Sequence, residues 1–442
     1  MRAMKDSGIE WIGQIPQEWK IGRVKHIYDV TLGKMLQPAP KSDEDELCAY
    51  MCAANINWHG VDLSVVKKMW FSEKDKETYR LAAGDLVVTE GGDVAVSCIW
   101  NDELPECYIQ NAVHRVRPKS DASNRYLYYW LSTLKATGYI DLVCNKATLA
   151  HFTKDKFDSC VIPVVSADEQ HAIVNYLDVK CAEIDALIAA KEKTNALLKE
   201  RRQSIIYEAV TKGLNPDAPM KDSGIEWIGQ IPEDWDVFPV KYLLDKNHPY
   251  PIGDGDHGMI KADDYLSEGI PYVRVLNLTW GDGLNLETLV YISEEMNNRI
   301  KNSELTPNDI LIAKTGATIG KTAIVPESLP RSNTTSHVGK ITISNDHDPK
   351  FFYYVMTSSV IQTQIQVLSA MQSTRPELGI DGLRNLLAVV PPVEKQRDIA
   401  TYLDHQCTEL NSAIATNASM IEKLKEYRQS VIYEAVTGKI EI

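Results

Sequence analysis

The most regular pattern of hydrophobic and polar positions lies in two long stretches that contain neither proline nor glycine. The first covers roughly residues 169–212 and the second lies at the end of the chain. In both, apolar residues recur with alternating spacings of three and four, which predicts α-helices that bury one narrow seam against another helix. About forty helical residues would extend roughly 60 Å. Two seams of equal length in one chain most simply pair with each other; the alternative is two separate amphipathic helices, each packed on its own domain.

The two seams match position for position. The first consists of Val174, Leu177, Cys181, Ile184, Ile188, Lys191, Asn195, Leu198, Arg202, Ile205 and Ala209. The second consists of Ala400, Leu403, Cys407, Leu410, Ile414, Asn417, Ile421, Leu424, Arg428, Val431 and Ala435. Polar residues interrupt both seams, and such residues fix the register of a helix pair at some cost in stability.

Outside the helices, the chain contains short β-rich runs between Gly, Asn, Asp and Pro residues. Examples are residues 84–89 (GDLVVT) and 308–313 (NDILIA). This pattern predicts mixed, strand-rich domains with a few helices. We therefore predict an α+β fold with a first domain at residues 1–166, a first long helix at 167–214, a second domain at 215–392 and a second long helix at 393–442.

The chain also repeats itself, which decides the architecture. Residues 4–16 and 220–232 both read MKDSGIEWIGQIP, which we call the opening motif. Residues 202–211 read RQSIIYEAVT and residues 428–437 read RQSVIYEAVT, which we call the closing motif. Because the opening motifs are offset by 216 residues and the closing motifs by 226, the inserts between them differ in length by ten. The sequence is a duplicated frame that holds two different inserts.

A weaker correspondence survives inside the inserts. Three residues of the first insert recur in the second, namely Tyr50, Asn55 and Trp58 as Tyr272, Asn277 and Trp280. The inserts are therefore expected to share one fold with diverged surfaces. Because Asn55 and Asn277 recur, we expect them to hold the frame and not to discriminate between targets.

Composition limits the function in three ways. No apolar run approaches the roughly twenty residues of a membrane span, and the polar N-terminus lacks the apolar core of a secretory signal, so a cytoplasmic location is expected. The eight scattered cysteines favour free, buried thiols over disulfides or a zinc site. The net charge of −14 does not favour a protein that grips nucleic acid alone. Any DNA binding should use local basic and polar surfaces, together with a partner.

Both motifs and their arrangement resemble the specificity subunits of type I restriction-modification systems. The resemblance rests on Gly-Ile-x-Trp-Ile-Gly-x-Ile-Pro at the opening, Glu169-Gln170 at the start of the first long helix, and the closing motif, and it extends over essentially the whole chain. It implies two target-recognition domains, each reading one half of a split site in double-stranded DNA, held apart by an antiparallel helix pair. It also implies that two methyltransferase (modification) subunits dock on the frame and that restriction subunits can join.

The sequence alone leaves the helices parallel or antiparallel, although it agrees with a quasi-circular layout. Thr211 leads through Gly213 and Pro216 into the second opening motif. The two copies differ where the long helices begin. Residues 165–166 are Val-Ser, where residues 391–392 are Pro-Pro, and Lys395 replaces Glu169, so an acidic contact at this place is not expected in both copies.

Motifs for catalysis are absent or incomplete. No Asn-Pro-Pro or Asp-Pro-Pro occurs, as a methyltransferase acting on a base amino group would be expected to carry. Residues 316–322 (GATIGKT) have three residues between the glycines where a phosphate-cradling loop needs four, which favours a tight turn. Residues 253–258 (GDGDHG) could hold a metal but are better explained as a flexible polar loop. We therefore expect no catalytic residue, no cofactor and no metal in this chain.

Two other functions remain open from the sequence. A self-contained DNA methyltransferase or nuclease would turn over substrate without partners. A coiled-coil spacer that only joins proteins would explain the helices but not two diverged inserts rich in polar clusters, and it would bind no DNA selectively.

Base edges are read chiefly by Arg, Lys, Asn, Gln, Ser and Thr side chains, so polar clusters in the inserts are the candidates for DNA contact. In the first insert these are Asn111, His114, Arg115, Arg117, Lys146 and Thr148. In the second they are Lys314, Thr315, Thr318, Lys321, Arg331, Asn333, Thr334, Ser336 and Arg375. For the docking of methyltransferase subunits, the candidates lie in the closing motifs: Arg202, Gln203, Tyr207, Glu208, Arg428, Gln429, Tyr433 and Glu434.

Overall fold

The computed structural model describes residues 2–144, 151–281, 283–370 and 377–442. The chain forms two compact units, one made of Met1–Lys191 with Ser419–Ile442 and the other of Glu192–Ala418. Each long helix therefore contributes one segment to each unit. No helix in the described part of the chain is long and apolar enough to cross a membrane.

In the described residues up to the end of the first long helix, the chain forms thirteen strands and six α-helices, the last of which continues into the second unit. The strands are β1 (Met4–Asp6), β2 (Gln14–Pro16), β3 (Lys20–Arg23), β4 (Tyr28–Leu32), β5 (Glu46–Met51), β6 (Ile56–Asn57), β7 (Gly60–Val61), β8 (Lys67–Phe71), β9 (Leu86–Thr89), β10 (Ser97–Ile99), β11 (Tyr108–Ile109), β12 (Val113–Pro118) and β13 (Val161–Val164). The helices are α1 (Val24–Ile27), α2 (Glu73–Tyr79), α3 (Asn124–Ala136), α4 (Tyr139–Cys144), α5 (Lys154–Ser159) and the long α6 (Ala167–Lys212).

The second unit repeats much of this plan. Its strands are β14 (Met220–Asp222), β15 (Gln230–Pro232), β16 (Asp236–Pro239), β17 (Ile252–Asp254), β18 (Ile270–Val273), β19 (Val290–Ile292), β20 (Ile310–Ala313), β21 (Thr322–Ile324), β22 (Asn333–Thr334), β23 (Val338–Ile341) and β24 (Leu387–Val390). Its helices are α7 (Glu294–Arg299), α8 (Pro349–Thr357), α9 (Ser359–Ala370), α10 (Ile380–Asn385) and the long α11 (Val393–Val436).

Sheet topology shows that the two inserts share one fold. The four-stranded sheet has the order β10-β9-β12-β4 in the first unit and β21-β20-β23-β17 in the second. The three-stranded sheet has the order β11-β5-β8 in one and β22-β18-β19 in the other, with the same parallel first pair. The expected mixed, strand-rich α+β fold with an internal repeat is confirmed.

The long helices run antiparallel. In the second unit, the Asn417 amide donates to Asn195 Oδ1 at 3.1 Å, and Arg202 Nη1 donates to Asn411 Oδ1 at 2.6 Å. From the first pair to the second, residue numbers rise along α6 and fall along α11. In the first unit, Arg428 of α11 forms an ion pair with Asp185 of α6. The amide pair lies at two of the predicted polar seam positions, where a hydrogen bond between side chains disfavours a shifted register.

The same glutamine joins each long helix to its insert. Gln170 Oε1 accepts from the Ser123 amide at 2.8 Å, and Gln396 Oε1 accepts from the Asp348 amide at 2.8 Å. The two donating amides belong to the N-cap residues of insert helices, Ser123 before α3 and Asp348 before α8. The buried amide therefore fixes the angle between insert and long helix in both repeats.

The acidic residue before this glutamine makes contacts in the first copy only, as expected from the replacement of Glu169 by Lys395 in the second copy. Glu169 forms an ion pair with Arg2 and accepts from Trp19 Nε1 at 3.0 Å. Lys395 replaces this carboxylate in the second copy. The eight cysteines are free, and all but Cys52 are buried, as expected.

Each opening motif, with the insert residues directly after it, shares a hydrophobic core with the closing motif of the other repeat. In the first unit, Trp19 packs in the same hydrophobic cluster as Ile432 and Val436 of the second closing motif. In the second unit, Trp235 packs with Ile206 and Val210 of the first closing motif. Burying each such side chain contributes about 1.5–3 kcal/mol, so the closing helix of each repeat is stabilised by the insert of the other.

A prediction concerns Gly438, which follows α11 with φ +69° and packs against the opening motif. A Cβ atom there would lie 2.4 Å from Pro16 Cγ, whereas a Cβ on Gly8, with φ +74°, would meet nothing within 4 Å. Gly8→Ala should cost about 1–2 kcal/mol from the left-handed backbone alone. Gly438→Ala should cost a further 1–3 kcal/mol or so because of the overlap. Urea unfolding of both variants checks this, and equal losses would show that the contact yields freely.

Candidate nucleic-acid interface

Three polar segments of the second insert converge at one end of its four-stranded sheet. They are the loop after β17, the turn after β20 and the segment that contains β22. Lys314 forms an ion pair with Asp254, whose other oxygen lies 3.1 Å from His257 Nε2. Thr315 Oγ1 lies 3.1 Å from His337 Nδ1. These buried contacts join the three segments and leave His257 and His337 exposed.

The turn after β20 is a tight turn and not a phosphate-cradling loop. The Gly320 amide donates to Ala313 O at 2.9 Å, and the Ala313 amide donates to Lys321 O at 2.8 Å. Gly316 has φ +70°, a backbone conformation that glycine adopts readily. Strand β21 follows at once where a phosphate-binding loop would lead into a helix. The turn leaves Thr318 and Lys321 partly exposed.

Four candidates of the second insert are committed to internal contacts. Lys314 and Thr315 are buried in the contacts just described. Asn333 Nδ2 donates to Asn297 Oδ1 at 2.8 Å, and Thr334 Oγ1 donates to Val273 O at 2.9 Å. Asn333 and Thr334 are fully buried, so they hold the insert together and are not presented to a ligand.

Two further candidates remain at the surface. Arg331 is exposed, but its guanidinium lies between Glu304, at 2.8 Å, and Glu294, at 2.6 Å. These carboxylates raise the pKa of Arg331 and neutralise its charge. Ser336 is half-buried, and its amide donates to Asp256 Oδ1 at 3.3 Å, which leaves its side chain beside exposed His337.

Three of the four candidates of the first insert that the structure describes lie on β12, a central strand. His114 is buried, and its Nε2 lies 2.7 Å from Phe152 O. Arg115 is buried and donates to Arg80 O at 2.8 Å. Arg117 forms a two-point ion pair with Asp85, at 2.6 and 2.7 Å. These contacts support the sheet, although the Arg117 side chain is 41% exposed. Asn111 lies in the loop before β12 and is half-exposed.

The polar letters VHRVRP gave no sign that β12 lies between β4 and β9. The topology reveals it, because both neighbouring strands pair with β12 along its length. The remaining candidates, Lys146, Thr148 and Arg375, lie outside the described residues.

Of the closing-motif residues predicted to bind methyltransferase subunits, some make internal contacts and others lie at the surface. Arg202 donates to Trp280 O at 3.1 Å, and Arg428 forms an ion pair with Asp185 at 2.9 Å. Tyr433 donates to the opening motif at Trp11 O and Ile12 O, both at 3.0 Å, and Tyr207 donates to Ile228 O at 3.3 Å. These four residues hold the frame. The surface positions are Gln203 and Glu208, which are exposed, and Gln429 and Glu434, which are half-buried.

The recurrent asparagines hold equivalent turns, as expected. Asn55 Oδ1 accepts from the Cys52 amide at 3.1 Å, and its Nδ2 donates to Asp62 O at 2.8 Å. Asn277 Oδ1 accepts from the Arg274 amide at 2.8 Å, and its Nδ2 donates to Asn285 O at 3.0 Å. The two carboxylates of the polar loop at residues 253–258 also make internal contacts, since Asp254 pairs with Lys314 and Asp256 accepts from the Gly258 and Ile260 amides, whereas His257 is exposed.

Two strand-rich inserts of one topology on a duplicated antiparallel helix frame define a class of bipartite recognition scaffold. The family model described as "Type I restriction modification DNA specificity domain" matches twice, at residues 16–199 and 232–419. The chain belongs to this family. The predicted role of a non-catalytic specificity subunit is thereby confirmed, and the alternative of a self-contained methyltransferase or nuclease has no support from it.

Individual relatives agree. The chain is 25% identical over 383 residues to the EcoBI specificity subunit of Escherichia coli, covering 84% of this chain and 77% of that protein. It is 22% identical over 448 residues to the MjaIX specificity subunit of Methanocaldococcus jannaschii, covering 98% and 95%. A chain from a structure on complex assembly and conformational transition of the type I R-M system shares the fold, with a TM-score of 0.70, 14% identity and coverage of 96% and 99%.

A prediction follows from buried His114, whose pKa is lowered, chiefly by desolvation. The folded state binds this proton less readily than the unfolded state, so stability should fall as pH drops below the ordinary value of about 6.5. His114→Gln should flatten the fall in unfolding free energy between about pH 7 and 5. Exposed His59→Gln is the matched control. Equal slopes for His114→Gln and the unchanged protein would mean that His114 protonates freely in the fold.

Proposed function

We propose that each insert binds one half of a bipartite site in double-stranded DNA, and that the long helices set the distance between the halves. The observation that carries this proposal is the division of the sequence into identical and diverged parts. The residues that hold the frame are repeated, whereas the polar surfaces at the ends of the two sheets differ. A duplicated frame with different surfaces suits two different half-sites.

In the second insert, we propose Thr318, Lys321 and Ser336 as DNA contacts. We also propose Arg375, which is a candidate from the sequence alone. In the first insert, Asn111, Lys146 and Thr148 have this role. Lys321 contributes positive charge to a phosphate contact, and the others suit hydrogen bonds to base edges. Because the chain carries a net charge of −14, its own affinity for DNA should be low.

We further propose that two methyltransferase subunits supply the missing affinity and the chemistry, one at each copy of the frame. Their docking candidates are the closing-motif residues that the frame leaves at the surface, which are Gln203 and Glu208 in one copy and Gln429 and Glu434 in the other. A duplicated surface suits two copies of one partner. Restriction subunits can join this complex, and a cytoplasmic location is part of the proposal.

The direct test is co-expression with the candidate methyltransferase, followed by native mass measurement and methylation mapping of genomic DNA. We expect two methyltransferases per chain and methylation of a single split motif. A chain that ignores the methyltransferase yet modifies or cuts DNA alone would contradict the proposal.

A second prediction separates the two half-sites. Replacing residues 17–166 with the insert of another family member should change one half of the methylated motif and leave the other half intact, because the opening motifs, the closing motifs and the second insert lie outside the exchanged segment. Methylation mapping of the hybrid complex gives the answer. A change in both halves would contradict the assignment of one half-site to each insert.

A third prediction concerns spacing. Inserting seven residues into both α6 and α11 keeps the seam in phase and lengthens the helices by about 10 Å. The methylated motif should then gain about three base pairs between its halves, at roughly 3.4 Å each. The matched control is the same insertion in α6 alone, which breaks the pairing of the seams and should abolish assembly. An unchanged spacer with both helices lengthened would refute the helices as the ruler.

A further inference from the structure

The loop after β4 holds two adjacent apolar side chains in solvent. Met35 is 75% exposed and Leu36 is 52% exposed, whereas the residues on either side, Lys34 and Gln37, are buried. Single exposed apolar residues are common on protein surfaces and need no explanation. A pair held out between two buried polar residues is different, because burial of the flanks costs desolvation that their contacts must offset.

Both flanks are fixed by specific contacts. The Lys34 ammonium pairs with Asp75, and its amide donates to Ile109 O at 3.0 Å. Gln37 donates through Nε2 to Asp45 Oδ2 at 2.8 Å, and its carbonyl accepts from the Trp70 amide at 3.1 Å. The loop is thus ordered before any ligand arrives, which reduces the entropy lost on binding.

The apolar pair lies beside a candidate base-reading residue. The Asn111 amide donates to Lys34 O at 2.9 Å. Gly33 packs so tightly against this segment that a Cβ atom would lie 2.4 Å from Gln110 O. Met35 and Leu36 therefore form one surface with the polar segment at residues 110–111.

The second insert repeats the arrangement with a different sequence. Gly255 follows β17 as Gly33 follows β4, and its Cβ would lie 1.9 Å from Thr334 O. Buried Asp256 accepts from the amides of Ile260, at 3.0 Å, and Ser336, at 3.3 Å, which ties the loop to the polar segment after β22. The loop holds out Met259, which is 60% exposed.

We propose that Met35 with Leu36, and Met259, pack against bases in the two DNA half-sites. This inference rests on the proposed function. Apolar side chains recognise thymine methyl groups in the major groove or wedge between base steps in the minor groove. In both inserts these residues adjoin side chains suited to base edges.

The same loops are poorly suited to a protein partner. Two copies of one methyltransferase require equivalent surfaces on the two repeats, and the repeated surface lies in the opening and closing motifs. The sequence of the loops has diverged completely, KMLQ in one and DHGM in the other. Divergence at an equivalent position, with the apolar exposure retained, suits two half-sites of different sequence.

The test uses the complex with the methyltransferase and three variants: Met35→Ser/Leu36→Ser, Met259→Ser, and Val65→Ser as a control. Val65 is 64% exposed in the first insert, and its side chain is outside the loop. For each complex, affinity is measured by fluorescence anisotropy for the methylated motif, for that motif with either half scrambled, and for unrelated duplex, at several salt concentrations.

We expect the Met35/Leu36 variant to bind the full motif about tenfold or more weakly, comparable to a mismatched base pair. Its affinity for unrelated duplex and its salt dependence should stay unchanged, because no phosphate contact is removed. In this variant, scrambling the first half of the motif should reduce the affinity less than it does in the unchanged complex. Scrambling the second half should reduce the affinity by the same factor as in the unchanged complex. Met259→Ser should show the reverse, and Val65→Ser should match the unchanged complex.

An equal loss for every duplex, or no loss, would overturn the inference, as would failure of the methyltransferase to assemble with the double variant. The unchanged complex tests the proposed function independently. If it shows no preference for a split motif, the proposed function fails; if it shows that preference while the variants retain full discrimination, the inference alone fails.

Discussion

The structure depends on the contact between the opening motif of one repeat and the closing motif of the other. Tyr433 donates to the backbone at Trp11 and Ile12, and Tyr207 does the same at Ile228. Around each hydroxyl, apolar residues of both motifs share one core. Since the two motifs form a single interface that is used twice, their near-identity in sequence follows from geometry: a change on one side must suit the other.

This contact also requires the helices to run antiparallel. A closing motif at the end of each long helix must meet the insert of the other repeat, which lies beyond the start of the partner helix. The side-chain pairs along the seam agree, with Asn195 opposite Asn417 and Asp185 opposite Arg428. The two repeats do not use identical chemistry, because Asn411 stands where the first copy has Asp185. The frame therefore tolerates replacement of an ion pair, between Arg428 and Asp185, by a hydrogen bond from the Arg202 guanidinium to the neutral amide of Asn411.

Much of the fold could be predicted because it is encoded in local periodicity and in the repeat. The 3-4 spacing identified both long helices, and the repeated letters identified the frame. The candidate site was harder to predict, since polar letters do not reveal whether a side chain faces solvent. His114, Arg115 and Asn333 have the residue types that read bases, yet all three are buried and bonded within the insert. Their role depends on the position of β12 and β22 in the sheets, which is set by pairing between distant segments.

Residue type also failed to indicate candidates of the opposite kind, which are apolar residues exposed on the surface. Met35, Leu36 and Met259 are apolar and drew no attention as DNA contacts, yet the structure holds them in solvent on anchored loops. In these inserts, several polar residues are buried and stabilise the fold, whereas a few apolar residues are exposed to solvent. In a chain of high net negative charge, this arrangement has a physical advantage, because apolar and neutral polar contacts recognise bases without depending on a positive potential that the chain lacks. Electrostatic attraction to the phosphates can then come from partner subunits, while the choice of sequence remains with the inserts.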